Sequence, residues 1–356
     1  MVVSATPGVG VKMIGAAFGG CRPLAGLMVS LLLGGGPRVA TAQEPARTHV
    51  LIVTGASGEP QFAQQFHALA MSMRTTVTGK FGVPDSQVIY LAEQTTPDPR
   101  SISGRSNKEG VIQAIDRIKA RAKAGDAVLI MLIGHGTSDG DVSRFNVPGA
   151  DMSDADFKIQ LDKLSNQSVA FVNAASASGD FVKTVSAKNR VVVTATKSGF
   201  EKNETMFAEH FITAYAKEGA DTDKDGRVSL LEAFIYARHE VERAYQGANK
   251  LLTEHAMLDD DGDGAGRADP GARGPDGALA SKFFIQSAAG LNAAAASDPR
   301  AVALLATQAK LESQLDSLRL AKGIMSDAEY QKALEDLLLK ISENASALRA
   351  LGVRKP

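Results

Sequence analysis

The sequence predicts an α/β sandwich with a mostly parallel sheet, followed by a C-terminal helical hairpin. Three observations carry this expectation. Short apolar runs alternate with amphipathic segments between His49 and Gln246. The runs are continuous and rich in β-branched residues, as suits strands buried on both faces of a parallel sheet. Beyond Asp298 the pattern changes to long apolar stripes at helical spacing.

The expected strands are Val50-Leu51-Ile52-Val53, Val88-Ile89-Tyr90-Leu91, the run from Ala127 to Ile133, Val169-Ala170-Phe171-Val172 and Val191-Val192-Val193-Thr194. Helices are expected from Pro60 to Lys80, and after the N-cap Asn107, where Val111, Ile112, Ile115 and Ile118 share a face. Two more are expected over Glu204–Lys217, with Asn203 as N-cap, and over Ser229–Tyr245. Strand–helix alternation of this kind builds crossover connections and a layered sandwich. The Gly/Pro/Asp-rich stretch from Asp259 to Gly277 reads as an exposed loop, and Phe283-Phe284-Ile285 as either a last short strand or a helical turn.

The hairpin occupies residues 300–356, after a linker over 287–299. Leu304, Leu311, Leu315 and Leu318 form one stripe; Leu334, Leu337, Ile341 and Leu348 form the other. Ser326 with Glu329 has the spacing of a capping box at the second helix. Such a hairpin packs on its own domain, on a second copy or on a partner protein.

Composition excludes several function classes. The 356 residues are 44% hydrophobic and 22% charged with a formal net charge of −1, which fits neither a disordered chain nor a basic nucleic-acid module. Aromatic residues make up 5% and Trp is absent, so base- or sugar-stacking platforms are not expected. A single cysteine allows no internal disulfide.

Residues 1–42 read as an export signal: Lys12 and Arg22, an apolar run from Leu24 to Leu33, and small residues at Ala40 and Ala42 before Gln43. The run falls short of the ~20 residues a membrane span needs. Cleavage after Ala42 removes Cys21 and leaves a periplasmic or extracellular chain with no thiol and no stable membrane span. A retained anchor, or lipidation at Cys21, is the alternative. The mature domain then covers 43–286.

In an open parallel sheet, ligands bind beyond the carboxyl ends of strands. Two such ends carry chemistry: Ala127–Ile133 leads into Gly134-His135-Gly136-Thr137, and the next strand into Ala174-Ala175-Ser176-Ala177-Ser178-Gly179. The stretch from Thr48 to Gln246 resembles the legumain-like and caspase-like cysteine peptidases. His135-Gly136 matches the family's catalytic His-Gly pair after the third strand. Ser176-Ala177-Ser178-Gly179 matches its Cys-x-Ser-Gly segment after the fourth, with Ser176 where the nucleophilic Cys belongs. Asn107-Lys108-Glu109-Gly110 and Gly125-Asp126 also resemble the family's approach to the His. The resemblance implies a caspase-like three-layer sandwich, a peptide or protein ligand in the cleft, an oxyanion hole from the Gly136 and Ser176 amides, and side-chain specificity near Lys197 and Glu201.

The serine departs from the family. A thiolate forms readily beside a histidine, whereas a hydroxyl needs an aligned base and an orienting group. Two readings stand: a catalytically silent homologue, or a peptidase using a His135/Ser176 dyad. Asp139, Asp141 and Asp180 are nearby candidates for a third member.

A second constellation is more specific. The segment from Asp221 to Glu232 fits the EF-hand calcium loop, with Asp221, Asp223 and Asp225 as carboxylate ligands and Gly226 at the turn. Arg227 would offer its carbonyl, Ser229 a direct or water-mediated contact, and Glu232 a bidentate carboxylate. The expected cofactor is therefore Ca2+. The run Asp259-Asp260-Asp261-Gly262-Asp263-Gly264 resembles half such a loop, but Pro270 stands where the bidentate Glu belongs; it is either a weaker calcium loop or a solvated turn. His49, His67, His210, His239 and His255 show no ligand spacing. A different class of function also fits: a calcium-stabilised scaffold acting through the hairpin, by helix-mediated partner binding or self-association.

Overall fold

A computed structural model describes residues 47–217, 219–224, 227–285, 299–320 and 325–351. The leader, the linker, Asp225 and Gly226 lie outside the described residues. In chain order the elements are β1 (Thr48–Thr54), α1 (Pro60–Thr75), β2 (Val88–Ala92), β3 (Gly104–Arg105), α2 (Lys108–Arg121), β4 (Ala127–Ile133), β5 (Gly136–Ser138), β6 (Ser143–Phe145), β7 (Met152–Ser153) and α3 (Asp154–Leu161). They continue with β8 (Ser168–Asn173), α4 (Phe181–Val185), β9 (Arg190–Thr194), α5 (Phe207–Ala216), α6 (Leu230–Gly247), β10 (Met257–Asp259), α7 (Pro299–Leu320) and α8 (Asp327–Ala350).

Seven strands form one sheet in the order β10-β9-β8-β4-β1-β2-β3. All neighbours run parallel except β10, which pairs antiparallel with β9 at the edge. The apolar runs are uninterrupted because both faces are covered. Val50 and Ile52 point into one core with Phe66 of α1, Phe211 of α5 and Phe234 of α6. Leu51 and Val53 point into the other with Ile115 of α2, Phe157 of α3 and Phe181 of α4. Side chains alternate across a strand, so one run serves two helical layers.

All five strands read from apolar runs form; β4 has the bounds read for it, and the other four are one to three residues longer. The short β3, β5, β6, β7 and β10 were not expected; at two or three residues they carry no periodicity to read. Asn107 caps α2, accepting from the Gly110 N–H at 3.1 Å. The helix expected from Glu204 begins instead at Phe207, and Asn203 donates to Thr253 Oγ1 rather than capping. The carboxylate of Glu254 accepts the Met206 and Phe207 amides at 2.9 and 2.8 Å. A tertiary cap from 47 residues downstream leaves no local signature.

Register aligns the strand ends that matter. Val53 lies opposite Leu132, Leu132 opposite Asn173, and Asn173 opposite Thr194. The loops after β1, β4, β8 and β9 therefore leave from one sheet edge. Chain order reverses between β1 and β4, which makes that pair of ends the switch point where a crevice opens.

In the hairpin, Ala301 and Leu348 are buried with Leu304 and Leu351 packed against them. Asn344 crosses between the helices, donating to Leu304 O and Gln308 Oε1. Ser326 and Glu329 form the expected reciprocal cap. Among the described residues, no helix is long and apolar enough to cross a membrane.

Candidate functional site

His135 follows β4 at the switch point. Gly134 and Gly55, the residues just past β4 and β1, lie back to back; a Cβ on Gly134 would come within 3.1 Å of the Gly55 backbone. The imidazole is held by aromatic edges, with ring centroids 4.7 Å from Phe62 and 5.1 Å from Phe66, both on α1. It makes no hydrogen bond among the described residues.

Ser176 is buried, three residues past β8. Its Oγ accepts from the Gly136 N–H at 3.2 Å and donates to the Gly136 carbonyl at 3.3 Å. Both polar groups of the Gly136 backbone thus face Ser176 Oγ, and among the described residues the His135 ring is not within hydrogen-bond reach of it. The two strands cross so tightly here that a Cβ on Gly136 would meet the Ser176 carbonyl at 2.3 Å, so only glycine fits. The Gly136 amide expected to line an oxyanion hole is turned onto Ser176 Oγ, and the Ser176 amide has no partner among the described residues.

The turn carrying Ser176 is strained and clamped. Ala177 is fully buried at φ +51°, a conformation unfavourable for a residue with a Cβ. Its N–H donates to the Glu201 carbonyl at 2.7 Å. Gly179 N–H reaches Thr196 Oγ1 at 3.0 Å, and Ser178 Oγ meets Thr196 Oγ1 at 3.1 Å. The loop after β9 therefore buttresses the loop after β8.

The candidates for a third catalytic member lie elsewhere. Asp139 accepts from Val142 N–H, Asp141 N–H and Arg144, closing the β5–β6 turn. Those bonds hold its carboxyl down at about 2. Asp180 accepts the Gly199 amide and a Lys183 ammonium. Neither these two nor Asp141 contacts His135. Lys197 is exposed, but Glu201 turns inward: its carboxylate accepts from Lys197 N–H, His255 N–H and His255 Nδ1, the last at 2.5 Å. Glu201 is a brace rather than a ligand contact. Phe62 and Phe66, whose rings pack on His135, were not singled out from the sequence.

Gln65, Phe66, His135, Ala174 and Thr205 line a cavity of only about 10 Å3. Beneath it Thr205 Oγ1 donates to the Ala174 carbonyl at 2.6 Å. Glu254, the downstream residue that caps α5, is pushed up to about 7 by burial, which outweighs its two amide donors.

The acidic loop between α5 and α6 has the opposite character. One carboxylate oxygen each from Asp221, Asp223 and Glu232 lies within 4.8 Å of the others. Oxygens sharing a calcium ion at 2.3–2.6 Å can be no more than about 5 Å apart, so these three fit a hard divalent cation. Glu232 is buried; Oε1 accepts from Thr222 and Oε2 from Ser229 N–H and Oγ, both at 2.8 Å. Ser229 Oγ in turn accepts the Glu232 amide, so its hydroxyl serves the α6 capping box. Arg227 places its guanidinium 3.9 Å from the Phe284 ring centre. Ser229 forms a β-bridge with Phe284, and Leu230 N–H donates to Phe283 O. The segment read as strand or turn thus pairs singly with the loop exit.

Asp259, Asp261 and Asp263 also bring one oxygen each within 4.8 Å. Their carboxylates hold the loop together: Asp259 accepts from Ser186 Oγ and Gly264 N–H, Asp261 from Asp263 N–H, and Asp263 from Ala265 N–H. Asp260 accepts three amides, from Gly277, Leu279 and Ala280.

Comparison with known proteins adds little. No family profile and no curated protein matches the sequence. Among solved structures, the crystal structure of the Drosophila initiator caspase Dronc matches at 11% identity and a TM-score of 0.40, over 68% of this chain and 86% of that one. A likeness that distant identifies neither an activity nor a catalytic residue.

Proposed function

We propose that the chain is an exported, caspase-like peptidase homologue that is catalytically silent, binds a peptide or protein segment in its strand-end cleft, and is stabilised by calcium at Asp221–Glu232. The observation that carries the silent reading is the reciprocal bond between Ser176 and Gly136. A serine nucleophile works when its proton is handed to an aligned base that a third group orients. Here Ser176 Oγ contacts the Gly136 N–H and carbonyl, and among the described residues the His135 imidazole meets aromatic edges and makes no hydrogen bond. The order of motifs and their arrival on adjacent strands support descent from a peptidase scaffold.

The decisive variant is Ser176→Cys. A thiol of ordinary pKa near 8.5 yields thiolate beside a histidine and needs far less assistance. We expect the parent to leave a fluorogenic peptide library intact and Ser176→Cys to gain turnover that His135→Ala removes. Turnover by the parent, lost in Ser176→Ala, would replace the silent reading with a serine peptidase.

Calcium at the loop is supported by the converging oxygens of Asp221, Asp223 and Glu232. A site of the extracellular class, binding at about 0.1–1 mM, stays largely filled outside the cytosol and stabilises by mass action. A second reading, partner binding through the hairpin, is favoured by Leu338 and Leu339, exposed on α8 beside Leu334. Replacing both by Glu should abolish partner capture on that reading and leave cleft binding intact.

A further inference from the structure

The small cavity at His135 shares lining residues with a much larger one. Gln65 and Glu204 line both, and the larger encloses about 650 Å3 between α1, the start of α5, the end of α6 and the strap that follows it. Met206, Tyr245 and Leu251 give it apolar surface, with Leu251 85% exposed. Glu204 and Glu209 add two exposed carboxylates that have no cationic partner among the described residues. Lys250 is the one cationic side chain lining the groove. The balance is one net negative charge.

A helix N-terminus at such a place would ordinarily favour an anion. Here it does not, because the Met206 and Phe207 amides are consumed by Glu254, whose own charge, when ionised, adds to the negative field. The groove thus combines two exposed carboxylates, one more than its lysine balances, with apolar and aromatic surface. Lys and Arg side chains match that combination: their stems cover apolar surface while the head group stays with a carboxylate, and a guanidinium can also stack on Tyr245.

We infer that this groove is the specificity subsite of the cleft and takes an extended peptide whose Lys or Arg meets Glu204 and Glu209, with a neighbouring apolar residue on Leu251. The inference rests on the peptide-binding reading above and names the class of peptide. Exposed charge pairs contribute modestly, so two carboxylates should give about a fivefold preference.

The test is fluorescence anisotropy of the calcium-loaded chain with two labelled heptapeptides, identical but for a central Arg or Glu flanked by Leu. The parent should bind the Arg peptide about fivefold more tightly, less so at high salt, and E204Q/E209Q should bind both alike. Both glutamates are exposed and free of hydrogen bonds among the described residues, so an unchanged melting curve will show that the fold is kept. Equal affinity of the parent for both peptides, or a preference that survives in E204Q/E209Q, would overturn the inference while leaving peptide binding in place. Failure of the parent to bind either peptide would remove the inference and the peptide-binding reading together.

Discussion

The strand-end cleft and the acidic loop before α6 use polar side chains in opposite ways. In the cleft, Ser176 bonds to Gly136, Ala177 to Glu201, and Ser178 and Gly179 to Thr196. In the loop, the carboxylates of Asp221, Asp223 and Glu232 face each other, an arrangement that like charges hold only weakly without a cation. A self-satisfied cleft resembles architecture kept after its chemistry has gone. A loop with converging acids remains fitted for a ligand. On the function proposed above, one chain keeps the scaffold of one site and the chemistry of another.

The largest expected effect breaks the cleft. Ala at Gly179 would put its Cβ 2.1 Å from the Lys197 and Ser198 backbone, with no flexible side chain to yield. Gly179→Ala should destabilise by roughly 3 kcal/mol in denaturant unfolding. A change below about 0.5 kcal/mol would mean that the two loops are not clamped.

Acid–base behaviour sharpens the contrast next. Folding raises the Glu254 carboxyl from 4.5 to about 7, so the native chain keeps a proton that the unfolded chain releases. That stabilisation is complete below pH 4.5 and is lost as pH rises toward 7, by on the order of 2–3 kcal/mol. Unfolding at pH 5 and pH 7.5 in chelator should show the loss, and Glu254→Gln should flatten it. An unaltered slope in the variant would assign the pH dependence to other groups.

Calcium follows in size. At 10 mM, with a dissociation constant of about 0.1–1 mM, the ion should add about 1.4–2.7 kcal/mol and raise the melting temperature by several degrees. Glu232→Gln should lose that difference between calcium and chelator, whatever its melting temperature in chelator alone. Coincident curves for the parent, with a silent calorimetric titration, would refute the site. Smallest is Ala177→Gly, which relieves the left-handed backbone and should stabilise by at most about 0.5–1 kcal/mol. Clear destabilisation would mean that the Ala177 methyl contributes more to packing than its backbone strain takes away.

How much was legible depended on whether the signal was local. Five of the seven strands of the sheet were, because burial on both faces leaves an apolar run such as Ala127–Ile133; β3 and β10 are too short to leave one. So were the Asn107 and Ser326 caps, which act within three residues; the Ser229 cap, equally local, was read as a metal contact instead. His135 and Ser176 could be placed on adjacent strand ends, but not the bond that turns Ser176 toward Gly136, since that depends on how closely two glycine-bearing loops cross. The brace of His255 on Glu201 and the cap from Glu254 span about fifty residues and have no pattern at all. The acidic loop was the most specific pattern to read because its carboxylates lie in one twelve-residue segment.

The silent cleft is the central claim, and one assay tests it most directly. The chain from Gln43 onward, its Ser176→Cys, Ser176→Ala and His135→Ala variants, and the Ser176→Cys/His135→Ala double variant would be incubated with a fluorogenic peptide library in calcium. The account expects no hydrolysis by the parent, a gain in Ser176→Cys, and a loss of that gain by about a hundredfold or more in the double variant. Hydrolysis by the parent that disappears in both Ser176→Ala and His135→Ala would contradict it.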